Sequence, residues 1–286
     1  MKQLIQLALI RIIHNSFCAH ILRLLAKSRL IPKFIWVRWP VAHEFTVEIG
    51  PRRSFKYAAC PNDVIGRHLF WRGVDDWERE TISTFITLAR RSSCFVDIGA
   101  NTGVYSLVAC SINEECVALA LEPVPRVVER LKNNIAINEL NDRITVYEVA
   151  ASACTGNIEL HVPDTDVPTS ASLHPDGFRG IRGSKVRVSQ IRIDDLLLTH
   201  KPPIDLVKID VEGFEDAVLR GMEEVICRNH PTIILECNLD GPFSKVEKQL
   251  AKFGYNFFLL TDEGPQRCEK LLPDPAGANR NYLCMS

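Results

Sequence analysis

Cys94-Phe95-Val96-Asp97-Ile98-Gly99-Ala100-Asn101-Thr102-Gly103 reads as a short apolar strand running into a tight turn flanked by two glycines. Glycine lets the backbone turn sharply and approach a ligand with no Cβ in the way. A helical pattern starts at Val104, so the stretch is a strand–turn–helix unit. Working outward, an apolar run at Val117 to Leu121 precedes a helix from Pro125 to about Asn138. Further short apolar runs lie at Ile144 to Val149, Leu206 to Ile209, Thr232 to Leu235, Phe257 to Leu260 and Tyr282 to Met285. Strands alternating with helices predict an α/β fold with a doubly wound, mostly parallel sheet. In such a sheet the ligand sits beyond the carboxyl ends of the strands, which is where the Asp97–Gly103 turn falls.

Upstream, apolar residues at Ile82, Phe85, Ile86 and Leu88 predict a helix over about Trp77 to Arg90 that delivers the chain to the first core strand. Residues Ile31 to Asp63 are broken by Pro32, Pro40, Gly50, Pro51 and Pro61 and read as short strands or an irregular lead-in. Asp164 to Ser184 holds two prolines and three glycines and reads as an inserted loop between the third and fourth core strands. The expected organisation is therefore a basic amphipathic helix over 1–30, a lead-in over 31–90, and a ligand-binding domain over 91–286 carrying that loop at about 164–184.

The formal net charge of -1 gives the whole chain no electrostatic footprint for nucleic acid, and no such partner is expected. Ten cysteines lie scattered without a Cys-x-x-Cys pair, which fits buried thiols in a reducing compartment and predicts a cytoplasmic location. The eight histidines show no ligand spacing, so no metal site is expected. Leu4 to Ile13 is apolar apart from Gln6 and Arg11, and the first acidic residue of the chain is Glu44. Polar residues interrupt this run too early for a transmembrane span. Residues 1–30 are read instead as an amphipathic basic helix that either packs on the domain or touches the inner face of a membrane peripherally.

Four positions carry the chemistry. Asp97 opens the turn with a carboxylate, suited to the amino group of an amino-acid moiety and unsuited to a pyrophosphate, and Asn101 stands where a nicotinamide-type G-x-G-x-x-G motif needs its second glycine. Glu122 follows the second strand, where a carboxylate can accept from two ribose hydroxyls, although a Glu-Pro after a strand also starts helices. Val149-Ala150-Ala151-Ser152 leaves room for a flat ring such as adenine, with Ala150 as a candidate contact. Together Asp97, Gly99, Asn101, Gly103, Glu122 and Ala150 describe a pocket for S-adenosyl-L-methionine. Asp210, ending the fourth strand in Lys208-Ile209-Asp210-Val211-Glu212-Gly213, is placed either to orient or deprotonate a substrate hydroxyl or to cap the following helix. Glu212, His174 and Glu236 are weaker candidates for the same task.

From about Trp71 to Glu236 the chain resembles the FkbM family of S-adenosylmethionine-dependent O-methyltransferases. The resemblance rests on Val96–Gly103, Leu121-Glu122-Pro123, Asn133-Asn134-Ile135-Ala136-Ile137-Asn138, Ile193-Asp194-Asp195-Leu196, Asp205–Glu215, Leu219-Arg220-Gly221 and Ile233-Ile234-Leu235-Glu236. It implies a seven-stranded, Rossmann-like class I sheet with an antiparallel final strand, cofactor binding at the first turn and Glu122, and methyl transfer to a hydroxyl. The implied acceptor is a small-molecule natural product or a sugar in a glycan or glycolipid, and from its place at the strand end Asp210 is the residue expected beside it. Two other readings are a nucleotide-dependent enzyme on a similar sheet, which the missing second glycine opposes, and a non-catalytic membrane-associated cofactor-binding protein.

Overall fold

The computed structural model describes residues 16–165, 167–168, 183–197, 200, 202–274 and 278–286. The segment Cys94–Ile98 is buried at all five positions, as a strand covered on both faces must be. In chain order the strands are β1 (Glu44–Gly50), β2 (Arg53–Ala58), β3 (Cys94–Ile98), β4 (Val117–Leu121), β5 (Ile144–Tyr147), β6 (Ala150–Ala151) and β7 (Gly156–Pro163). They continue with β8 (Gly183–Ile191), β9 (Leu206–Ile209), β10 (Thr232–Glu236), β11 (Asn256–Thr261), β12 (Gly264–Cys268) and β13 (Asn281–Met285). The central sheet has the order β12-β11-β13-β10-β9-β3-β4-β5. Its four pairings from β5 across to β10 are parallel, and the three that join β10, β13, β11 and β12 are antiparallel.

Two expectations need correction. The sheet has eight strands rather than seven, because the chain turns back after Thr261 into the exposed edge strand β12. Gly264-Pro265-Gln266-Arg267-Cys268 carries no apolar alternation, so nothing in its composition marked it as a strand. The region between the third and fourth core strands is also more than a loop: β6, β8 and β7 form a separate three-stranded sheet. Residues 166 and 169–182, which include His174 and the Thr169–Leu173 stretch, lie outside the described residues.

The lead-in segment is a hairpin of β1 and β2 followed by a helix over Val64–Arg72, whose N-cap Asp63 accepts from the Gly66 amide. The next helix, Arg79–Ala89, lies within the expected range. Side chains from this segment, including Phe45, Phe55, Leu69 and Phe85, share one buried cluster with Phe95, Leu107 and Ile135 of the α/β body. Two polar anchors fix the hairpin. Buried Asn134 accepts from the Ala58 amide and donates to the Thr102 carbonyl, while Asn138 exchanges hydrogen bonds with both backbone groups of Lys56. The Asn-rich helix Pro125–Ile137 and its end thus clamp β2 against the turn that follows β3.

No helix among the described residues is long and apolar enough to cross a membrane. Of the ten cysteines, the nine from Cys60 to Cys284 are free thiols.

Candidate active site

Parallel register puts the ends of four strands in a row. Ile98 of β3 pairs with both Leu121 of β4 and Ile209 of β9, and Ile209 pairs with Leu235 of β10. The residues at or just beyond those ends are Glu122, Gly99, Asp210 and Glu236, all on the wall of one cavity of about 340 Å³. That volume lies in the range of small-molecule sites.

The first turn is built by its backbone. Gly99 has φ +82°, and a Cβ there would stand 1.9 Å from the Asp210 carbonyl oxygen, so only glycine fits between β3 and β9. Gly103 has φ +88°, and a Cβ there would meet Leu131 at 2.3 Å. The amides of Gly99 and Ala100 both donate to the Leu121 carbonyl, tying the turn to β4. Asn101 adopts a left-handed φ of +48°, which asparagine tolerates better than most residues. Its amide donates to Glu122 Oε2 at 3.0 Å, and its side chain donates to the Pro168 carbonyl at 2.9 Å, fastening the inserted segment over the turn.

Glu122 is buried on the cavity wall, with Oε1 accepting from the Val124 amide at 2.9 Å. Burial pushes its carboxyl up to about 7, although both amide bonds favour the charged form. Each oxygen keeps a second lone pair, which leaves room for hydroxyl donors. Ala150 lines the cavity beside Val149, Ile158 and Leu160, giving an apolar slot next to Glu122.

Asp97 sits elsewhere than expected. It is buried behind the wall rather than on it, and its Oδ2 accepts from the Ser106 hydroxyl at 2.7 Å and the Ser106 amide at 3.1 Å. The carboxylate thus satisfies an unpaired amide in the first turn of the helix Val104–Ile112. Burial raises its carboxyl to about 6 against the pull of those bonds. Gly103 likewise shapes the turn without touching the cavity.

At the other end of the cavity, Asp210 Oδ2 accepts from Lys208 Nζ at 2.7 Å. That bond turns the Asp210 carboxylate to Lys208, whereas the amide ahead of the helix Glu215–Arg220, that of Gly213, donates to Glu215 at 2.8 Å. Lys208 is 2% exposed and lies 4.5 Å from the centre of the Tyr105 ring, within cation–π reach. Burial disfavours its charge, but Asp210, Glu78 and Glu236 outweigh that and hold its pKa above the usual lysine value. Carboxylate oxygens of Glu78, Asp210 and Glu236 lie within 4.8 Å of one another, a grouping that histidine spacing could not reveal. The Asp210 charge, and then burial, push Glu236 up to about 9. Burial likewise raises Glu78, whose side chain accepts from the Tyr105 hydroxyl at 2.5 Å. Glu212 accepts from Asn238 at 2.9 Å, and burial, then Asp210, raise it to about 7.

Glu78, Asn101 and Glu212 are cavity residues, and each is a non-glycine residue at positive φ. Backbone strain of this kind costs on the order of 1–3 kcal/mol per residue and concentrates at functional sites. Sequence reasoning missed Glu78, Tyr105 and Lys208. Only Lys208 had a signal, being a lone lysine in an otherwise apolar strand two residues from Asp210, hence on the same face.

Residues 97–257 match the methyltransferase FkbM domain, more than half of the chain. The chain belongs to the FkbM methyltransferase family. The matched segment is a methyltransferase domain with S-adenosylmethionine as its cofactor. Similar proteins include methyltransferase sdnD of Sordaria araneosa, 29% identical over 45% of this chain and 60% of that protein. Another is 2-O-methyltransferase NoeI of Sinorhizobium fredii, 26% identical over 49% of this chain and 62% of its own length. The chain thus spans about three-fifths of each of these two relatives. The 31-O-demethyl-FK506 methyltransferase FkbM of Streptomyces tacrolimicus is 23% identical over 59% of this chain and 74% of its own. Among solved structures, methyltransferase FkbM from Methylobacillus flagellatus KT superposes with a TM-score of 0.43 at 17% identity, covering 68% of this chain and 44% of that one.

Proposed function

We propose that this protein is an S-adenosylmethionine-dependent O-methyltransferase acting on a hydroxyl of a small molecule or of a sugar in a glycan. One observation carries the reading: a single cavity has a backbone-held carboxylate, Glu122, at one end and a carboxylate cluster around Lys208 at the other. The residues present fit the cofactor, since Glu122 has lone pairs for a diol and the slot at Ala150 is apolar. When bound, the cofactor supplies an electrophilic methyl group on a sulfonium.

Glu122 would accept from the ribose hydroxyls, and Ala150 would face the base in the apolar slot. Gly99, Asn101 and Gly103 hold the turn in shape, and Asp97 acts behind them as a positioning residue through Ser106. Asp210 orients the acceptor hydroxyl and takes up its proton, contributing on the order of 10²–10⁴ in rate. Lys208 fixes the direction of the Asp210 carboxylate, and Glu78 and Glu236 share the proton within the cluster. Residues 91–286 form the cofactor-binding domain, while the lead-in supplies Val64, His68, Trp77 and Glu78 to the acceptor wall. Two relatives, NoeI and the Streptomyces enzyme, carry an oxygen acceptor in their names, which supports a hydroxyl here.

The test is mass spectrometry of candidate glycans and small-molecule extracts after incubation with methyl-labelled cofactor. Labelled methyl ethers are expected. Label only on nitrogen or carbon would reject the O-methyl assignment.

A further inference from the structure

Among the described residues ten large apolar side chains are exposed, and six of them fall within Ile21 to Ile35. Leu24, Leu30 and Phe34 are 51%, 70% and 63% exposed. They belong to the helix Ser16–Lys27, the turn after it, and the short helix Lys33–Trp36. The turn folds back on itself, with the amides of Leu30 and Ile31 donating to the Leu25 carbonyl. The inner side of the first helix is fixed to the body. Arg23 Nε donates to the Phe70 carbonyl at 2.8 Å with its guanidinium over the Phe45 and Phe70 rings, and Ala26 is fully buried. The outer side carries the apolar residues.

Lys27, Arg29, Lys33 and Arg38 are exposed in the same segment. None forms a salt bridge among the described residues. No acidic residue precedes Glu44 in the chain.

We propose that the face formed by Ile21, Leu24, Leu25, Leu30, Phe34 and Ile35 docks on an anionic lipid bilayer, with its four exposed cations meeting the headgroups. Apolar residues rimmed by lysine and arginine are the chemistry of interfacial helices. A second copy of the chain is the wrong occupant, because a two-fold contact sets each patch against itself and brings like charges together. Docking also sets the cleft beside the membrane. The Trp36 ring packs edge-on at 5.4 Å against His68, which lines the cavity, and Val64, half exposed, lines it too. An acceptor hydroxyl on a membrane-bound molecule would then enter past the helix Val64–Arg72. That consequence rests on the methyl-transfer reading, whereas docking itself does not.

The experiment is flotation of the full chain with phosphatidylcholine vesicles and with phosphatidylcholine–phosphatidylglycerol vesicles, at low and high salt. Calorimetry with S-adenosylmethionine runs alongside on every variant. The wild-type chain should float with the anionic vesicles only, and salt should release it. Each surface cation contributes about fivefold to partitioning, so K27E/R29E/K33E should abolish flotation. L30S/F34S should reduce it at least tenfold. Both variants alter exposed residues and should keep the wild-type melting temperature and cofactor affinity. Flotation that is absent, equal on neutral vesicles, or unchanged in both variants overturns the proposal. So does a dimer in sedimentation that L30S/F34S dissociates, or saturable binding to an acidic protein in place of lipid. Loss of cofactor binding with flotation intact would reject the methyltransferase reading and leave docking standing.

Discussion

The two ends of the cavity are made in different ways. The end at Gly99–Gly103 and Glu122 is a backbone structure: amides tie the turn to β4, and two short stretches at the ends of adjacent strands supply the parts. The end at Glu78, Lys208, Asp210 and Glu236 is a side-chain structure, assembled from the start of one helix and the ends of two strands. A backbone turn is most sensitive to changes of shape. A side-chain site of buried charges is most sensitive to changes of charge, since each member sets the protonation of its neighbours.

The largest effect should come from shape at the first end. Gly99→Ala places a Cβ 1.9 Å from the Asp210 carbonyl at a backbone φ of +82°, so β3 and β9 must move apart. We expect a loss of stability of about 3 kcal/mol or more, read as a fall in melting temperature, together with loss of cofactor binding. A soluble Gly99→Ala variant that melts like wild type would show that the turn is not tight.

Charge at the second end comes next. Asp210→Asn keeps the shape but removes the proton acceptor, and turnover should fall by about two to four orders of magnitude. Cofactor affinity should hardly change. A full-rate variant would reduce Asp210 to a partner for Lys208.

Glu122→Ala should act in the opposite sense. Hydrogen bonds to a charged group contribute about 1.5–3 kcal/mol, so cofactor affinity should drop at least tenfold by calorimetry. Retained affinity would remove Glu122 from the ribose.

The smallest effect is protonic. Glu122 and Glu212 are raised to about 7 and Glu236 to about 9, each above its value in the unfolded chain. Their folded forms hold protons that the unfolded chain gives up near pH 4.5. Their contribution to stability is therefore complete below about pH 4.5 and lost as pH rises through 7 and 9. Free enzyme should thus lose stability from pH 5 to pH 9 in thermal melts, and Glu236→Gln should flatten the upper part of that decline. A sulfonium placed beside the cluster favours its charged form. Binding of S-adenosylmethionine at pH 7 should then release a fraction of a proton more than binding of S-adenosylhomocysteine, measured by calorimetry in buffers of different ionisation enthalpy. Equal release would place the sulfur away from the cluster.

The same contrast explains what could be read in the sequence. The first turn and Glu122 lie in contiguous stretches whose glycines and apolar runs have local causes, so the parallel sheet and the end of the cavity beyond it were legible. Glu78 looked like an ordinary acidic residue at a helix start, because only tertiary packing brings it to Asp210. Asp97 was assigned to the ligand, whereas an unpaired helix amide and the Ser106 hydroxyl claim it. Asn134 and Asp194, in motifs quoted for the family resemblance, prove to be structural. The first bridges β2 to the turn, and the second caps the helix Glu223–Asn229 through the amides of Glu224 and Val225. Strand β12 has no apolar alternation and owes its place to the hairpin with β11.

This cavity should bind S-adenosylmethionine through a turn whose amides, from Gly99 to Gly103, are all taken by protein acceptors and leave none for a pyrophosphate. The most direct test is calorimetric titration of the purified full chain with S-adenosylmethionine, S-adenosylhomocysteine and NAD. Saturable one-to-one binding of the first two, weakened at least tenfold in Glu122→Ala, with NAD binding far more weakly, is the predicted result. Tight binding of NAD with none of S-adenosylmethionine would contradict it.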